Sequence, residues 1–382
     1  MRIIDASNRR DLDSFLARNR QADRAFDRRV RGIIDRVRTG GDRALAAFAR
    51  TFDGLTGPMV VGRDEMEAAA ATVEPVVRRA IAQAARNIAR VAARQVPASK
   101  TIAVAKGVSV EQRVEPLGRV GCYVPGGRFP LPSSLLMTAI PARVAGVTDI
   151  VAVCPRPEPA VMAAALEAGV STLLRIGGAH AVAALAYGTE SLPRVDKIVG
   201  PGNRYVATAK ALVAADCSID LFAGPSEIVV VAGSGRAAWM ASDLVAQAEH
   251  DPDARALFIT WSRSLADRVS KAADRLARGI DIAEQSLADN GAVLVVKNED
   301  EAMALVNRIA PEHLVLEHER LAARRIVAGA VFVGPHTAQA AGDYATGSNH
   351  VLPTATAARF RGGLSAADFV RVMAVQRLTP EG

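Results

Sequence analysis

The chain has 382 residues, half of them hydrophobic, which is too long for one small domain and fits two or three units of ordinary size, each able to bury a core. Its formal charge is +7, but the basic residues are scattered among Asp and Glu, so no block of like charge offers a nucleic-acid face and small anionic ligands fit better. Cys122, Cys154 and Cys217 are too few and too dispersed for a disulfide framework or a thiolate zinc site, and read as buried small side chains in a reducing compartment.

The amino-terminal MRIIDASNRR turns polar within a few residues and lacks an apolar signal core, and no charge-free apolar run approaches the span of a membrane helix. A soluble, cytoplasmic protein without a membrane partner is expected. The run DRAFDRRVRGIIDRVRTGGDRALAAFARTFD carries apolar residues at helical spacing, interrupted at Gly40-Gly41, where one helix can stop and Asp42 can cap the next. A longer helix is expected from Pro75 onward.

From Gly118 the texture changes to short β-rich runs flanked by helical stretches: VGCYV, DIVAVCP, TLLRIGG and DKIVGPG, then EIVVVAG, RALFITW, AVLVV, HLVLE and AVFVG. Such alternation predicts parallel sheets. Two sheets imply two lobes, and a cleft between lobes is where small ligands usually bind. The turn AGPSE marks a boundary near Ser226, and a loop-rich stretch starts at Ala345.

Several stretches could carry chemistry. In LVAQAEH, Gln247 and His250 stand one helical turn apart and can converge on a point beyond the helix end, which suits a metal or a merely solvated terminus. GSGRAA, from Gly233, matches a dinucleotide fingerprint only in part and lacks the acid expected after the next strand, so it reads as an ordinary strand-to-helix turn. In GCYVPGGRFPLPSS an open turn exposes backbone N–H groups, and Arg128 with the paired serines could meet phosphate, or the segment could simply connect. IVGPGNRY repeats that theme, and two such loops at the carboxyl ends of parallel strands point to one crevice. APEHL sets Glu312 beside His313, either a carboxylate and a base or a charged strand entry. GDYATGSNH adds Asp343, an oxygen ligand or turn residue, and His350.

In this order, GCYVPGG, IGGAHAVAALAYGT, VGPGNRYV, AGPSE, LVAQAEH, APEHL, GDYATGSNHVLPT and GLSAADFVRVMAVQRLTPEG resemble the histidinol dehydrogenase family, from about Ile33 to the last residue. The resemblance implies NAD-dependent oxidation of L-histidinol to L-histidine through an aldehyde, the last steps of histidine biosynthesis, with a zinc ion anchoring substrate. It implies zinc ligands at Gln247, His250 and Asp343, whose O, N, O donors suit that metal. Ser226 would contact substrate, as would the metal ligands and His313. His313 would be the base for the alcohol proton, Glu312 the activator of the hydrating water, and Tyr123, His180 and Asn203 the dinucleotide contacts.

The implied fold is α/β, with two incomplete Rossmann-like lobes of parallel sheets, aldehyde-dehydrogenase-like, plus an N-terminal helical appendage, in a domain-exchanged homodimer. It divides the chain into residues 1–20 as the appendage, 21–120 with 228–365 as the first lobe, 121–227 as the second, dinucleotide-side lobe, and 366–382 as the start of a C-terminal helical segment. His180 stands where the family has a glutamine, and an imidazole does not reproduce an amide's geometry. The family's tail, with a zinc-binding histidine and a substrate-binding glutamate, would lie beyond Gly382, so a weaker zinc site is expected. The alternatives are a dehydrogenase for another amino or hydroxy alcohol and a non-catalytic relative that binds a ligand or partner.

Overall fold

The computed structural model describes residues 1–17, 23–126, 130–221 and 224–382, which form two compact units. The first unit comprises 1–17, 224–343 and 352–363; the second comprises 23–126, 130–221, 344–351 and 364–382.

The first unit is built on a wholly parallel six-stranded sheet in the order Arg2–Asp5, Ala292–Val295, Arg255–Thr260, Glu227–Val231, His313–Leu316, Ala330–Val333. Strand side chains alternate between faces, and both faces are covered. Ile228, Val230 and Phe258 pack against the helices Ala237–Ala248 and Arg263–Leu276, whereas Val229, Val231, Leu257 and Ile259 pack against Glu299–Ile309. This double burial explains why the strands read as continuous apolar runs.

The second unit holds another six-stranded sheet, ordered Val60–Val61, Thr172–Leu174, Asp149–Val153, Arg119–Tyr123, Lys197–Val199, Ser218–Ile219, with only the first strand antiparallel. Chain order runs outward from Arg119–Tyr123 in one direction and then resumes beside it at Lys197–Val199. The pair therefore flanks a topological switch point, where doubly wound sheets bind ligands outside the carboxyl ends of their strands. Tyr123 ends one strand and Asn203 follows the other. A three-stranded antiparallel sheet, Lys100–Ala105, Val108–Pro116 and Val370–Leu378, completes the unit.

The predicted parallel α/β class and each predicted strand are present, with three corrections. Residues 1–17 are not a separate helical appendage, because Arg2–Asp5 pairs with Ala292–Val295 and the helix Arg9–Leu16 buries Leu12 on the same unit. Residues 23–120 belong with the second unit, since the helix Arg24–Phe48 buries Phe26, Val30, Ile34 and Val37 in one core with Val182 and Val206. Residues 370–378 form a strand rather than a helix, pairing in register with residues 108–116. The Gly40-Gly41 break is real, with Gly41 at φ 51°, but the cap comes from Glu190, whose carboxylate accepts the Asp42 N–H at 2.7 Å.

Candidate functional site

At the amino end of the first unit's sheet, register brings the motif residues together. Ile228 pairs with His313, so Glu312 falls beside Glu227 at the mouth of two neighbouring strands. Its Oε2 accepts the Ser226 hydroxyl at 2.6 Å and the Glu227 N–H at 3.0 Å. Gln247, on the last turn of the helix Ala237–Ala248, donates Nε2 to Ser226 Oγ at 2.7 Å. An amide, a hydroxyl and a carboxyl thus form one hydrogen-bonded chain.

Gln247, Glu312 and His313 are buried to 1, 6 and 4% exposure. Among the described residues, Gln247 Oε1 and His313 Nε2 are buried side-chain atoms with no hydrogen-bond partner. Leaving a buried acceptor unmade costs about 1–3 kcal/mol, so two in one cluster call for a ligand. His313 Nδ1 lies 3.2 Å from the Glu227 carbonyl oxygen, which can only accept, so the neutral ring carries its proton on Nδ1 and leaves the Nε2 lone pair free. Burial raises the Glu312 carboxyl above its ordinary value; His313, the Ser226 bond and His250 oppose the shift, and Asp343 adds to it.

His250 and Asp343 therefore both act electrostatically on the carboxyl at the centre of the cluster. His250 is exposed just past the helix, and Asp343 is half-buried with Oδ2 accepting from Gln339 Nε2 at 3.2 Å. No group of three or more His, Cys, Asp or Glu in a metal-holding arrangement occurs among the described residues. A zinc site here would depend on the amide oxygen of Gln247, and that atom is one of the two left without a partner. The donor set fits the ion.

In the second unit, the buried Tyr123 hydroxyl accepts the Gly178 N–H at 2.9 Å, and burial pushes its ionisation up to about 12. His180 sits in the first turn of Gly178–Tyr187, its Nε2 2.8 Å from Asp53 Oδ2, which also accepts the Gly177 N–H. Asn203 caps the helix Arg204–Val213 through the N–H groups of Tyr205 and Val206. Arg128, read from sequence either as a phosphate contact or as part of a connecting loop, lies outside the described residues, and Ser134 is buried within the helix Pro132–Val144.

In GSGRAA, packing within the fold requires the glycines. A side chain on Gly233 would collide with the Trp261 indole and one on Gly235 with Glu317, while the Gly233 N–H donates to His318 Nε2. All three cysteines are free and buried, with burial raising the Cys122 thiol to about 12. Sequence reasoning missed Asp53, which meets His180 across 127 residues, the Gln339 amide that donates to Asp343, and the buried Lys210–Asp220 ion pair.

Two doubly wound sheets, one wholly parallel and the other parallel but for one strand, with a buried acid–imidazole–amide cluster at the amino end of the first, define an α/β enzyme frame. The histidinol dehydrogenase family model matches residues 16–382. Histidinol dehydrogenase of Rhizobium meliloti is 46% identical over 100% of this chain and 91% of that protein. The crystal structure of histidinol dehydrogenase from Elizabethkingia anophelis superposes with a TM-score of 0.95 at 31% identity, covering 100% of this chain and 91% of that one. The chain belongs to the histidinol dehydrogenase family of oxidoreductases. Likeness of fold alone extends to proline utilization A of Bradyrhizobium japonicum, at a TM-score of 0.51 and 16% identity over 87% of this chain and 47% of that one.

Proposed function

We propose that this protein oxidises L-histidinol to L-histidine through the aldehyde, using NAD and zinc, at the close of histidine biosynthesis. The observation that carries the reading is the pair of buried, unpartnered acceptors, Gln247 Oε1 and His313 Nε2, beside the Ser226–Glu312 hydrogen bond. Gln247, His250 and Asp343 would hold the zinc ion, which when bound anchors the substrate and polarises its alcohol oxygen. Tyr123, His180 and Asn203 would hold the dinucleotide that supplies the hydride acceptor.

The protein's own residues handle the protons. His313 Nε2 takes the alcohol proton as hydride leaves the carbon, and the Glu227 carbonyl holds the ring in the tautomer this requires. Glu312, raised by burial, takes a proton from the water that adds to the aldehyde. Ser226 accepts from Gln247 and donates to Glu312, which fixes the carboxyl's direction. His313 then serves the hydrate as it served the alcohol.

We place the protein in the cytoplasm as a homodimer. Its buried free thiols suit a reducing compartment, no described helix is long and apolar enough to cross a membrane, and Ile102, Val104, Val372 and Leu378 expose apolar surface on the antiparallel sheet. The test is NADH formation from L-histidinol by zinc-loaded and chelator-treated protein. Two NADH per histidinol, lost on chelation and regained with zinc, is expected. Zinc-loaded protein that forms no NADH would overturn the proposal.

A further inference from the structure

Left-handed backbone without glycine is rare in this chain and gathers at one place. Among the described residues, three that are not glycine have positive φ: Ala310 at 50°, Ala355 at 54° and Thr356 at 72°. All three adjoin the buried acid–imidazole–amide cluster of the first unit. Ala310 ends the helix Glu299–Ile309 and stands two residues before Glu312, while the Ala355 N–H donates to Glu227 Oε1 at 3.2 Å and Thr356 follows directly. A Cβ crowds the backbone in this region, and a β-branched residue such as Thr356 is a true outlier there. Strain of this kind persists only where the surrounding structure imposes it, and it collects where a site needs fixed geometry.

The turn at residues 354–356 is imposed from several sides. The Thr354 hydroxyl accepts the Gly224 N–H at 2.6 Å, two residues before Ser226. Arg359 donates to the Arg308 carbonyl at 2.6 Å, on the last turn of the helix that leads to Glu312. A side chain on Gly329 would strike both Pro353 and the Glu312 carbonyl, so this segment lies close over the strand entry. What the turn grips is Glu227, whose side chain is 1% exposed. Burying a carboxyl is costly unless its oxygens are hydrogen-bonded, and Ala355 supplies one such bond. The main chain of the same residue meets both proton-handling groups. Its N–H donates to Glu312 Oε2 at 3.0 Å, and its carbonyl oxygen lies 3.2 Å from His313 Nδ1. One residue therefore sets the direction of the carboxyl and the tautomer of the imidazole, and its own side chain is anchored from outside the sheet.

We propose that Glu227 is a positioning residue: the strained turn at 354–356 anchors its carboxyl, and through that anchor its main chain holds Glu312 and His313 in their working geometry. This rests on the reading above that Glu312 and His313 handle the protons, and it names what orients them. The strain at Ala355 and Thr356 then has a use, because a turn free to relax would release the Ala355 N–H from Glu227.

Two variants of Glu227 separate anchoring from mere filling of space. Glu227→Leu fills the site but offers the Ala355 N–H no acceptor, whereas Glu227→Gln keeps an oxygen there. In zinc-loaded protein, Glu227→Leu should lower kcat for histidinol and for its aldehyde on the order of 10²-fold, the effect of a misplacement of about 1 Å. KM should stay nearly constant, and Glu227→Gln should recover most of the loss. In zinc-free protein, the ring ¹⁵N shifts of His313, assigned by their absence from His313→Asn, should show one tautomer in the wild type and in Glu227→Gln. Glu227→Leu should give a tautomer mixture. Thr356→Gly should raise the melting temperature by about 2–4 °C, since glycine takes positive φ freely, yet loosen the same tautomer and lower kcat roughly threefold or more. A wild-type kcat and one His313 tautomer in Glu227→Leu would overturn the positioning role while leaving histidinol oxidation standing. Where Glu227→Leu does not fold, Thr356→Gly decides, and a higher melting temperature with kcat and tautomer unchanged would overturn the role as well. Wild-type protein that forms no NADH, but whose fixed His313 tautomer is lost in Glu227→Leu or Thr356→Gly, would overturn the functional reading and leave the positioning intact.

Discussion

Lys210 and Asp220 form an ion pair buried on both sides, and together they hold Gly200 by both of its backbone groups. Lys210 Nζ donates to the Gly200 carbonyl at 2.9 Å, and Asp220 Oδ2 accepts the Gly200 N–H at 2.7 Å. Gly200 adopts φ 114°, and a side chain there would strike the Tyr123 carbonyl. The pair thus fixes the turn that leads into Asn203, directly beside Tyr123 at the switch point. Lys210→Met leaves the Asp220 carboxylate buried and unpaired, which should cost about 3–5 kcal/mol. Lys210→Met combined with Asp220→Asn should recover part of that loss, because no bare charge remains. Denaturant unfolding midpoints decide it, and a double variant less stable than the single one would contradict this account.

The glycine-rich turn after Glu227–Val231 gives a separate check on which glycines serve ligands. Gly233→Ala sets a methyl group against the Trp261 indole, so overpacking should destabilise the protein by about 1–3 kcal/mol. The apparent affinity for NAD should stay unchanged. A raised KM for NAD without a fall in melting temperature would return this turn to the cofactor.

How much of this was legible in the sequence depended on whether the deciding contact was local. EIVVV and HLVL could be read as strands because burial on two faces leaves an unbroken apolar run. VRVMAVQRL carries the alternation of a strand, but the family resemblance pointed to a helix there, and the pairing with 108–116 prevails. Asp53 and His180 are 127 residues apart, and no spacing rule joins them. The chemistry of Gln247 was legible as a motif, whereas its unpartnered Oε1 appears only once Ser226 has claimed the amide nitrogen.

Asp243 supplies a pH dependence with a definite sign. Burial raises its carboxyl above the ordinary 3.8, against the opposing hydrogen bond from the Gln339 N–H. Glu317, also raised by burial, is raised further by the Asp243 charge. The folded state therefore holds the Asp243 proton more tightly than the unfolded chain does. Stability from this group is fully present below the unfolded value and is lost as pH rises through the raised one. Asp243→Asn keeps an acceptor for Gln339 and removes the charge. It should raise the melting temperature by a few degrees at neutral pH, where ~1 kcal/mol is worth about 2–4 °C in domains of 150–250 residues. Below about pH 3.5, where both states of the wild type are protonated, the gain should vanish. Equal gains in melts at the two pH values would show that charge burial is not the cause.

The two unpartnered atoms of the cluster should separate by substitution, because one is assigned to metal and the other to a proton. Gln247→Leu removes the buried amide oxygen together with the donor to Ser226, so zinc content and activity should fall together. His250→Ala should do the same through the ring nitrogen. His313→Asn removes the free Nε2 base while leaving the proposed ligands intact, so zinc content should hold. Turnover should then drop on the order of 10²–10⁴-fold, the usual contribution of a positioned base. Thermal melts of the zinc-free proteins establish that each variant is folded before metal analysis by atomic absorption and steady-state rates are compared. The alcohol-side proton also predicts that the residual rate of His313→Asn rises with pH, because solvent hydroxide takes over the abstraction. Zinc lost to the same extent from His313→Asn as from Gln247→Leu would mean that the imidazole binds the metal, and base and ligand would have to be reassigned between His313 and His250.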